Sequence, residues 1–420
     1  MEQLEIDVIQ DGMKFDDALV EKYRLYGKDF KYTYSNEDKK NIYYSNFVGI
    51  VRSDKENTIL LSMPKHYMNI KSFNGLSEKK KLMHIRRIIK SIDKTIYNSE
   101  YTQYKHSKDV EGSFSFESYN AIYSYYQTYG LYHDKEYYLK KGYGGHIEWK
   151  KTISKSNKYL INGKLVMIPL LNRKKYQHAN IITECMIFVF NYTRKVYGYF
   201  MELPNTDEVH SFGINKSILN NINGTINKLL KIRAEIFKDN EKKLVDNLIL
   251  FLKRVNSVTH KTKQSIKDYQ YEYVWEKAVE SYLNNNFNKF SNGNLIYSDE
   301  AINRYKFQKH SEHYDEAHPS NSMEPDHYYY DKKNNELYLF DSKYYVNLDS
   351  LNYKQLIYHI LFKNRTQATT VYNALIMPTE EENNTRIHVK VLPDFLREKE
   401  EVIIYLHELN TVTVIKQFIK

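Results

Sequence analysis

Residues 323–345 read MEPDHYYYDKKNNELYLFDSKYY, and this stretch decides the fold of the C-terminal part of the chain. Aromatic and aliphatic residues flank the polar cluster DKKNN, which predicts two antiparallel strands joined by a tight turn. Side chains alternate along a strand, so we expect Asp341 and Lys343 on the same side of the second strand. Antiparallel pairing can bring Asp326, at the start of the first strand, opposite Asp341. The hairpin therefore predicts two carboxylates and one ammonium on one face.

This combination of charges predicts a metal-dependent hydrolase. Two carboxylates a few ångströms apart repel each other unless a divalent cation lies between them, and Mg²⁺ prefers oxygen ligands. Such an ion can activate a water molecule and offset the charge that develops on a phosphodiester during attack. Lys343 would orient that water or help to deprotonate it, and would stabilise the transition state. We predict DNA phosphodiester hydrolysis with Mg²⁺, for which Mn²⁺ is a substitute.

The elements around the hairpin predict an α/β core. Residues 271–283 (YEYVWEKAVESYL) predict an amphipathic helix that carries Glu276, and residues 351–362 (LNYKQLIYHILF) predict a second helix. Residues 371–378 (VYNALIMP) predict a buried strand, and a weaker strand pattern lies near residues 294–299. We expect a central mixed sheet flanked by helices.

This order of elements and the motif residues resemble the PD-(D/E)xK nuclease superfamily. Pro325 and Asp326 match its PD, and residues 341–343 match its (D/E)xK. The resemblance implies that Asp326 and Asp341 are metal ligands and that Glu276, on the first helix, is a third carboxylate. Gln355 and Tyr358 resemble the polar residues that some branches of the superfamily carry on the helix after the motif, and the resemblance implies a supporting catalytic role for Gln355.

A narrower resemblance covers most of the chain. The segments FVGI (47–50), MPKHY (63–67), GHIEWKKTI (145–153) and ITE (182–184), together with PD and DSKYY, look like the LlaJI-type restriction endonucleases, which are related to the McrC nuclease subunit. That family pairs a nuclease with a separate GTP-hydrolysing AAA+ protein. The resemblance implies a phage-defence role, a McrB-like partner, and an N-terminal region that contacts partner or DNA.

Trp149, Lys150 and Lys151 are candidate DNA contacts, because an indole can stack on a base while lysines hold phosphates. A buried tryptophan beside solvated lysines fits the sequence equally well. Four histidines, His310, His313, His318 and His327, are expected in an exposed polar loop rather than at a zinc site.

Length and charge predict two domains. The chain has 420 residues and a formal net charge of +10, and the positive excess lies in the first part of the sequence. We predict a basic mixed α+β domain over residues 1–260 for DNA or partner contact, and a nuclease domain over residues 261–420, with the linker-like stretch 257–265 between them. A basic surface without a ligand is the alternative.

Other patterns in the first part predict a hairpin over residues 47–67, strands in residues 164–171 and 182–200, and helices in residues 76–105 and 215–253. No stretch is apolar enough to span a membrane, and the first residues do not resemble a signal peptide, so we expect a cytoplasmic protein. The single cysteine, Cys185, is expected to be a buried apolar residue.

Two rival functions fit the same residues. One is a stand-alone repair or mobile-element endonuclease that needs no GTPase. The other is a non-catalytic DNA-binding or assembly protein whose hairpin carboxylates are surface charges. The sequence has no GxxxxGK[ST] segment, so any motor is a separate polypeptide. One such site cuts one strand, so a double-strand break implies two copies of the chain on DNA.

Overall fold

The computed structural model describes residues 5–35, 40–53, 58–97, 110–112, 114–142, 146–206, 209, 213–261, 265–291, 293–298, 301–318, 320–348, 353–396 and 401–420. The chain folds into two compact units. Unit 1 comprises Met1–Phe114, Tyr199–Glu202 and Thr262–Lys420, and unit 2 comprises Ser115–Gly198 and Leu203–Lys261.

The first part of unit 1 contains strands and helices in this order: β1 Glu5–Gln10, β2 Lys14–Phe15, α1 Ala18–Lys22, β3 Phe30–Ser35, β4 Lys40–Ser45, β5 Val48–Arg52, β6 Thr58–Met63, α2 Ile70–Asn74, α3 Glu78–Tyr97 and β7 Val110–Gly112.

Unit 2 contains α4 Phe116–Tyr129, β8 Asp134–Lys141, β9 His146–Ile147, α5 Trp149–Lys155, β10 Asn157–Ile161, β11 Lys164–Ile168, β12 Leu171–His178, α6 Ile181–Tyr197, α7 Lys216–Asn220, α8 Ile222–Glu235 and α9 Asp239–Lys261.

The last part of unit 1 contains β13 Ser265–Asp268, α10 Tyr271–Asn286, β14 Phe287–Ser291, β15 Asn294–Tyr297, β16 Glu312–His313, β17 Ser322–Met323, β18 His327–Asp331, β19 Glu336–Ser342, α11 Tyr353–Thr366, β20 Thr370–Thr379, β21 Asn384–Val391, β22 Val402–Asn410 and α12 Thr411–Phe418.

The predicted hairpin over residues 323–345 is confirmed as β18 and β19, which pair antiparallel. They form one edge of a five-stranded sheet in the order β18-β19-β20-β22-β21. The pairs β19–β20 and β20–β22 are parallel, and β21–β22 is antiparallel. The predicted mixed sheet is therefore confirmed. The weaker strand near residues 294–299 exists as β15, but it pairs with β14 in a separate two-stranded sheet.

Apolar side chains of this sheet pack against α11. Leu337 and Leu339, both fully buried, form one cluster with Tyr358 and Phe362 of that helix. Burying a side chain of this size contributes about 1.5–3 kcal/mol, so the cluster fixes α11 over β19. The strand that carries Asp341 is thereby held from one side by a packed helix.

A second five-stranded sheet has the order β1-β6-β5-β13-β7. The predicted hairpin over residues 47–67 is confirmed as the antiparallel pair β5 and β6. Gly49, with φ +142°, faces β13 so closely that a Cβ would lie 1.9 Å from the Ile266 carbonyl oxygen. The glycine of the FVGI segment is therefore required where β13 passes. Because β13 pairs with both β5 and β7, residues on either side of unit 2 in the sequence build one sheet.

Unit 2 combines helices with short antiparallel sheets, β8-β12-β9 and β10-β11. The expected strand over residues 182–200 is wrong, because these residues form most of α6. Asn180 caps this helix by accepting hydrogen bonds from the backbone N–H groups of Ile182 and Thr183. The run is apolar on nearly every side because the helix is buried almost all round, a pattern that periodicity cannot distinguish from a buried strand.

Helices over residues 76–105 and 215–253 are confirmed where the structure describes them, as α3 and as α7 to α9; residues 98–105 lie outside the described residues. The chain divides after Lys261, close to the predicted boundary, but the linker prediction is wrong for residues 257–261, because they end α9. Residues Met1–Phe114 belong to unit 1 together with Thr262–Lys420. The distinct roles assigned to residues 1–260 and 261–420 stay predictions. Within the described ranges, no helix is long and apolar enough to cross a bilayer.

Candidate active site

Asp326 and Asp341 lie where β18 begins and β19 ends. His327 pairs with Phe340 in the antiparallel register, and continuing that register by one residue sets Asp326 opposite Asp341. The backbone N–H of Ser342 donates a hydrogen bond of 3.0 Å to Asp326 Oδ2. The structure therefore brings the two carboxylates to the same end of the hairpin, and it ties one of them to the strand that carries the other.

Lys343 completes the group as an ion pair. Its Nζ pairs with Asp341 Oδ2, and both side chains are largely buried, with 14% and 3% exposed. Its backbone N–H donates to the carbonyl of Ile376 on β20 at 2.8 Å. The residue directly after β19 is thus still fixed to the neighbouring strand, and its ammonium points back to the carboxylate two residues earlier.

The carboxylates act on each other electrostatically. Burial raises the pKa of Asp326 well above its usual range, and the charges of Asp341 and Glu276 raise it further, against Lys343 and Lys309. Burial also raises the pKa of Glu276 on α10, and Asp341 is among the charges that raise it. Proximity of like charges is costly without a counter-ion, so this end of the hairpin is a candidate position for a cation.

The donor set fits Mg²⁺. Glu276 Oε1 is buried and has no hydrogen-bond partner among the residues that the structure describes. Within those residues, no group of three or more His, Cys, Asp or Glu side chains is arranged to hold a metal ion. Mg²⁺ needs no such cage, because one or two carboxylates commonly hold it while water and substrate phosphates supply the remaining oxygens. Asp326 and Asp341 are the candidate pair, and Glu276 is the candidate third carboxylate.

Two lysines close to this site were not predicted from the sequence. Lys309 acts electrostatically on both Asp326 and Glu276. Burial lowers the pKa of Lys354, but Tyr358, Asp341 and Asp326 outweigh burial and raise it overall. Lys354 directly precedes Gln355 on α11, which was a usable signal, whereas the irregular segment around Lys309 has no periodic pattern. Positive charge therefore surrounds the carboxylates.

Gln355 lies between α11 and the sheet. Its Nε2 donates to the Leu339 carbonyl at 3.1 Å and to Asn373 Oδ1 at 2.7 Å, and the Asn373 amide donates to the Gln355 carbonyl. These bonds join α11 to β19 and β20. They suit a residue that positions the strand of Asp341, and a direct role of Gln355 in the reaction stays a prediction.

The expected exposure of His327 is wrong. Its side chain is completely buried, Nε2 lies 2.7 Å from Ser342 Oγ, and burial lowers its pKa to about 3. His327 is the first residue of β18 and its side chain faces Ser342 of β19, so it lies in the interior and not in a loop. With its lowered pKa, the imidazole is neutral at physiological pH. Cys185 is buried as expected, and burial raises its pKa to about 12.

Trp149, Lys150 and Lys151 open α5 in unit 2, and all three are exposed. The indole is 55% exposed, so the alternative of a buried tryptophan is wrong. An exposed indole beside two lysines is the surface that base stacking and phosphate binding require.

A protein-family model spans most of the chain. The model for the LlaJI restriction endonuclease matches residues 47–415. One solved structure, a half-complex from a tetradecameric assembly of Thermococcus gammatolerans McrB AAA+ hexamers with bound McrC, aligns with 11% identity over 99% of this chain and 98% of that chain, at a TM-score of 0.40. No curated protein sequence matches the chain.

Proposed function

The chain belongs to the LlaJI restriction endonuclease family, and on that premise we propose that it hydrolyses DNA phosphodiester bonds in a Mg²⁺-dependent reaction centred on Asp326, Asp341 and Lys343. The observation that supports this most is the buried ion pair of Asp341 and Lys343 beside a second carboxylate whose pKa is raised. Groups of acidic and basic residues with shifted pKa values cluster at catalytic sites. A bound cation would offset the repulsion between the two carboxylates.

In this proposal Asp326 and Asp341 hold Mg²⁺, with Glu276 as a third carboxylate. When bound, the ion supplies Lewis acidity and neutralises charge on the phosphate. Lys343 is held as a donor by its ion pair with Asp341. It is therefore suited to orienting the attacking water and to stabilising the negative charge that grows on the phosphate oxygens.

The lysines around the site would guide the DNA backbone. Lys309 and Lys354 both interact electrostatically with Asp326. Cations beside an acidic site allow a polyanion to approach carboxylates that would otherwise repel it. In unit 2, the exposed Trp149, Lys150 and Lys151 are a second proposed DNA contact.

We further propose that a separate AAA+ GTPase drives this nuclease on DNA. The family resemblance supports a partner of this kind. The proposed roles are chemistry for residues 261–420 and partner or DNA contact for residues 1–260, in the cytoplasm where phage DNA enters. Double-strand cleavage would need two copies on the DNA.

The test is cleavage of supercoiled plasmid by the purified chain with Mg²⁺, with and without GTP and a McrB-like AAA+ GTPase. We expect Asp341→Ala to abolish cleavage while DNA binding is retained, and Asp394→Ala, at an exposed carboxylate, to cut normally. Efficient cutting without the GTPase would favour a stand-alone endonuclease. Unchanged cutting by Asp341→Ala would show that the buried Asp341 carboxylate is structural and not catalytic.

A further inference from the structure

The MPKHY segment, residues 63–67, has no part in the proposed chemistry, yet it contacts the chain directly after Lys343. Strand β6 ends at Met63, and Lys65 and His66 follow in a turn where His66 has a left-handed φ of +52°. Both residues face the segment 344–346. Lys65 and Tyr344 are 279 positions apart in the sequence. Both contacting segments, 63–67 and 344–346, belong to unit 1.

Three hydrogen bonds join the two segments. The backbone N–H of Lys65 donates to the Tyr344 hydroxyl at 2.9 Å, and Lys65 Nζ donates to the Tyr344 carbonyl at 3.1 Å. The ammonium also lies 4.3 Å from the centre of the Tyr344 ring, a cation–π contact. His66 Nε2 donates to the Val346 carbonyl at 2.9 Å. Lys65 therefore contacts the residue next to Lys343 at three points.

The turn that makes these contacts is itself fixed. Lys65 Nζ lies 3.6 Å from Asp11 Oδ2. Burial and, after it, the charge of the same carboxylate raise the pKa of the Tyr344 hydroxyl. At Gly12, with φ +78°, a Cβ would lie 2.9 Å from Lys65 Cε and 3.0 Å from Val346 Cγ2. The glycine therefore allows close packing of three segments that are distant in sequence.

Lys343 needs such support because β19 ends one residue before it, at Ser342. The N–H of Lys343 still donates to the carbonyl of Ile376 on β20. Among the described residues, no strand pairs with the segment 344–348 that follows. A displacement of about 1 Å at a reacting group can cost roughly 100-fold in rate. We propose, on the basis of the nuclease function proposed above, that Lys65 and His66 are positioning residues that fix Tyr344–Val346 and so hold the Lys343 ammonium at the reacting phosphate.

The experiment compares Lys65→Met, Lys65→Arg and His66→Phe under the conditions in which the wild-type chain cuts plasmid. Lys71→Met, at an exposed lysine of α2, is the matched control. Single-turnover cleavage rates, DNA affinity, thermal midpoints and hydrogen exchange of the amides at 344–348 are measured for each. The His66 variant keeps the proposal testable where loss of Lys65 prevents folding.

We expect Lys65→Met to lower the cleavage rate about 10- to 100-fold, with DNA affinity changed by no more than about twofold and faster exchange at residues 344–348. Lys65→Arg keeps a cationic donor and should recover most of the rate. His66→Phe should show a smaller loss of the same kind. Lys71→Met should match the wild type.

The proposal is overturned if Lys65→Met and His66→Phe cut at the wild-type rate with unchanged exchange at residues 344–348. It is also overturned if Lys65→Arg loses as much cleavage rate as Lys65→Met and if the rate losses of all variants correlate only with their thermal midpoints. That result would indicate a general role of Lys65 and His66 in stability. Asp341→Ala separates this outcome from failure of the nuclease proposal. Loss of cleavage in that variant keeps the nuclease function whatever the Lys65 variants do.

Discussion

Replacing Lys343 with methionine removes the ammonium paired with Asp341 and keeps an unbranched side chain in its place. The Asp341 side chain is only 3% exposed, so water cannot replace the lost partner. Breaking a buried pair by removing one member costs about 3–5 kcal/mol. The neighbouring acidic groups Asp326 and Glu276 cannot replace the lost cation. We expect a lower thermal midpoint in the absence of divalent cations.

The assay is thermal unfolding followed by circular dichroism at mildly alkaline pH with EDTA. At roughly 2 °C per kcal/mol for a domain of this size, Lys343→Met should unfold at least about 6 °C below the wild type. The double variant Lys343→Met with Asp341→Asn should recover most of this loss, because no isolated charge is left. Mg²⁺ should stabilise the single variant more than the double one. A Lys343→Met midpoint equal to that of the wild type would refute the buried pair as described.

Three further predictions concern groups around the same fold. Burial and, after it, the charges of Asp341 and Glu276 raise the pKa of Asp326 in the folded chain. Between the pKa of Asp326 in the unfolded chain and its higher pKa in the folded chain, only the folded chain keeps the proton. The free energy of unfolding of the wild type therefore falls as the pH rises through this range. Asp326→Asn should therefore be more stable than the wild type at high pH by about 1.4 kcal/mol for each unit of pKa elevation, with no such gain at acid pH; a pH-independent difference contradicts this. Gln355→Leu should destabilise the chain by about 2 kcal/mol, since it removes the hydrogen bonds that Gln355 Nε2 donates to Asn373 Oδ1 and to the Leu339 carbonyl. Denaturation of Gln355→Leu, Asn373→Leu and the double variant measures the coupling of the two residues, and additive losses contradict it. Trp149→Ala should weaken DNA binding about tenfold at low salt without altering the thermal midpoint, measured by fluorescence anisotropy; unchanged affinity removes this surface from DNA contact.

Local sequence patterns predicted the elements near the proposed site well. The β18–β19 hairpin follows from a polar turn between aromatic runs, and the pairing of Asp341 with Lys343 follows from the two-residue repeat of a strand. The α6 segment was mistaken for a strand because a helix buried almost all round has no polar stripe.

Contacts between distant segments were beyond such patterns. The bonds from Lys65 and His66 to residues 344–346 join parts of the chain that no local periodicity relates. The burial of His327 likewise depends on its partner Ser342 on the neighbouring strand. Lys309 approaches the carboxylates from an irregular segment whose course depends on tertiary packing.

The place of β13 between β5 and β7 has a consequence for the nascent chain. Translation delivers β5 and β7 first, and all of unit 2 must leave the ribosome before β13 can fill the gap between them. Until then two strands expose unpaired backbone edges, the condition in which sheets aggregate or recruit chaperones. For the same reason, a gene fragment that starts after Lys261 would encode a strand with neither neighbour. A fragment with a complete β1-β6-β5-β13-β7 sheet should instead retain residues 1–114 and join them to the C-terminal part by a short linker.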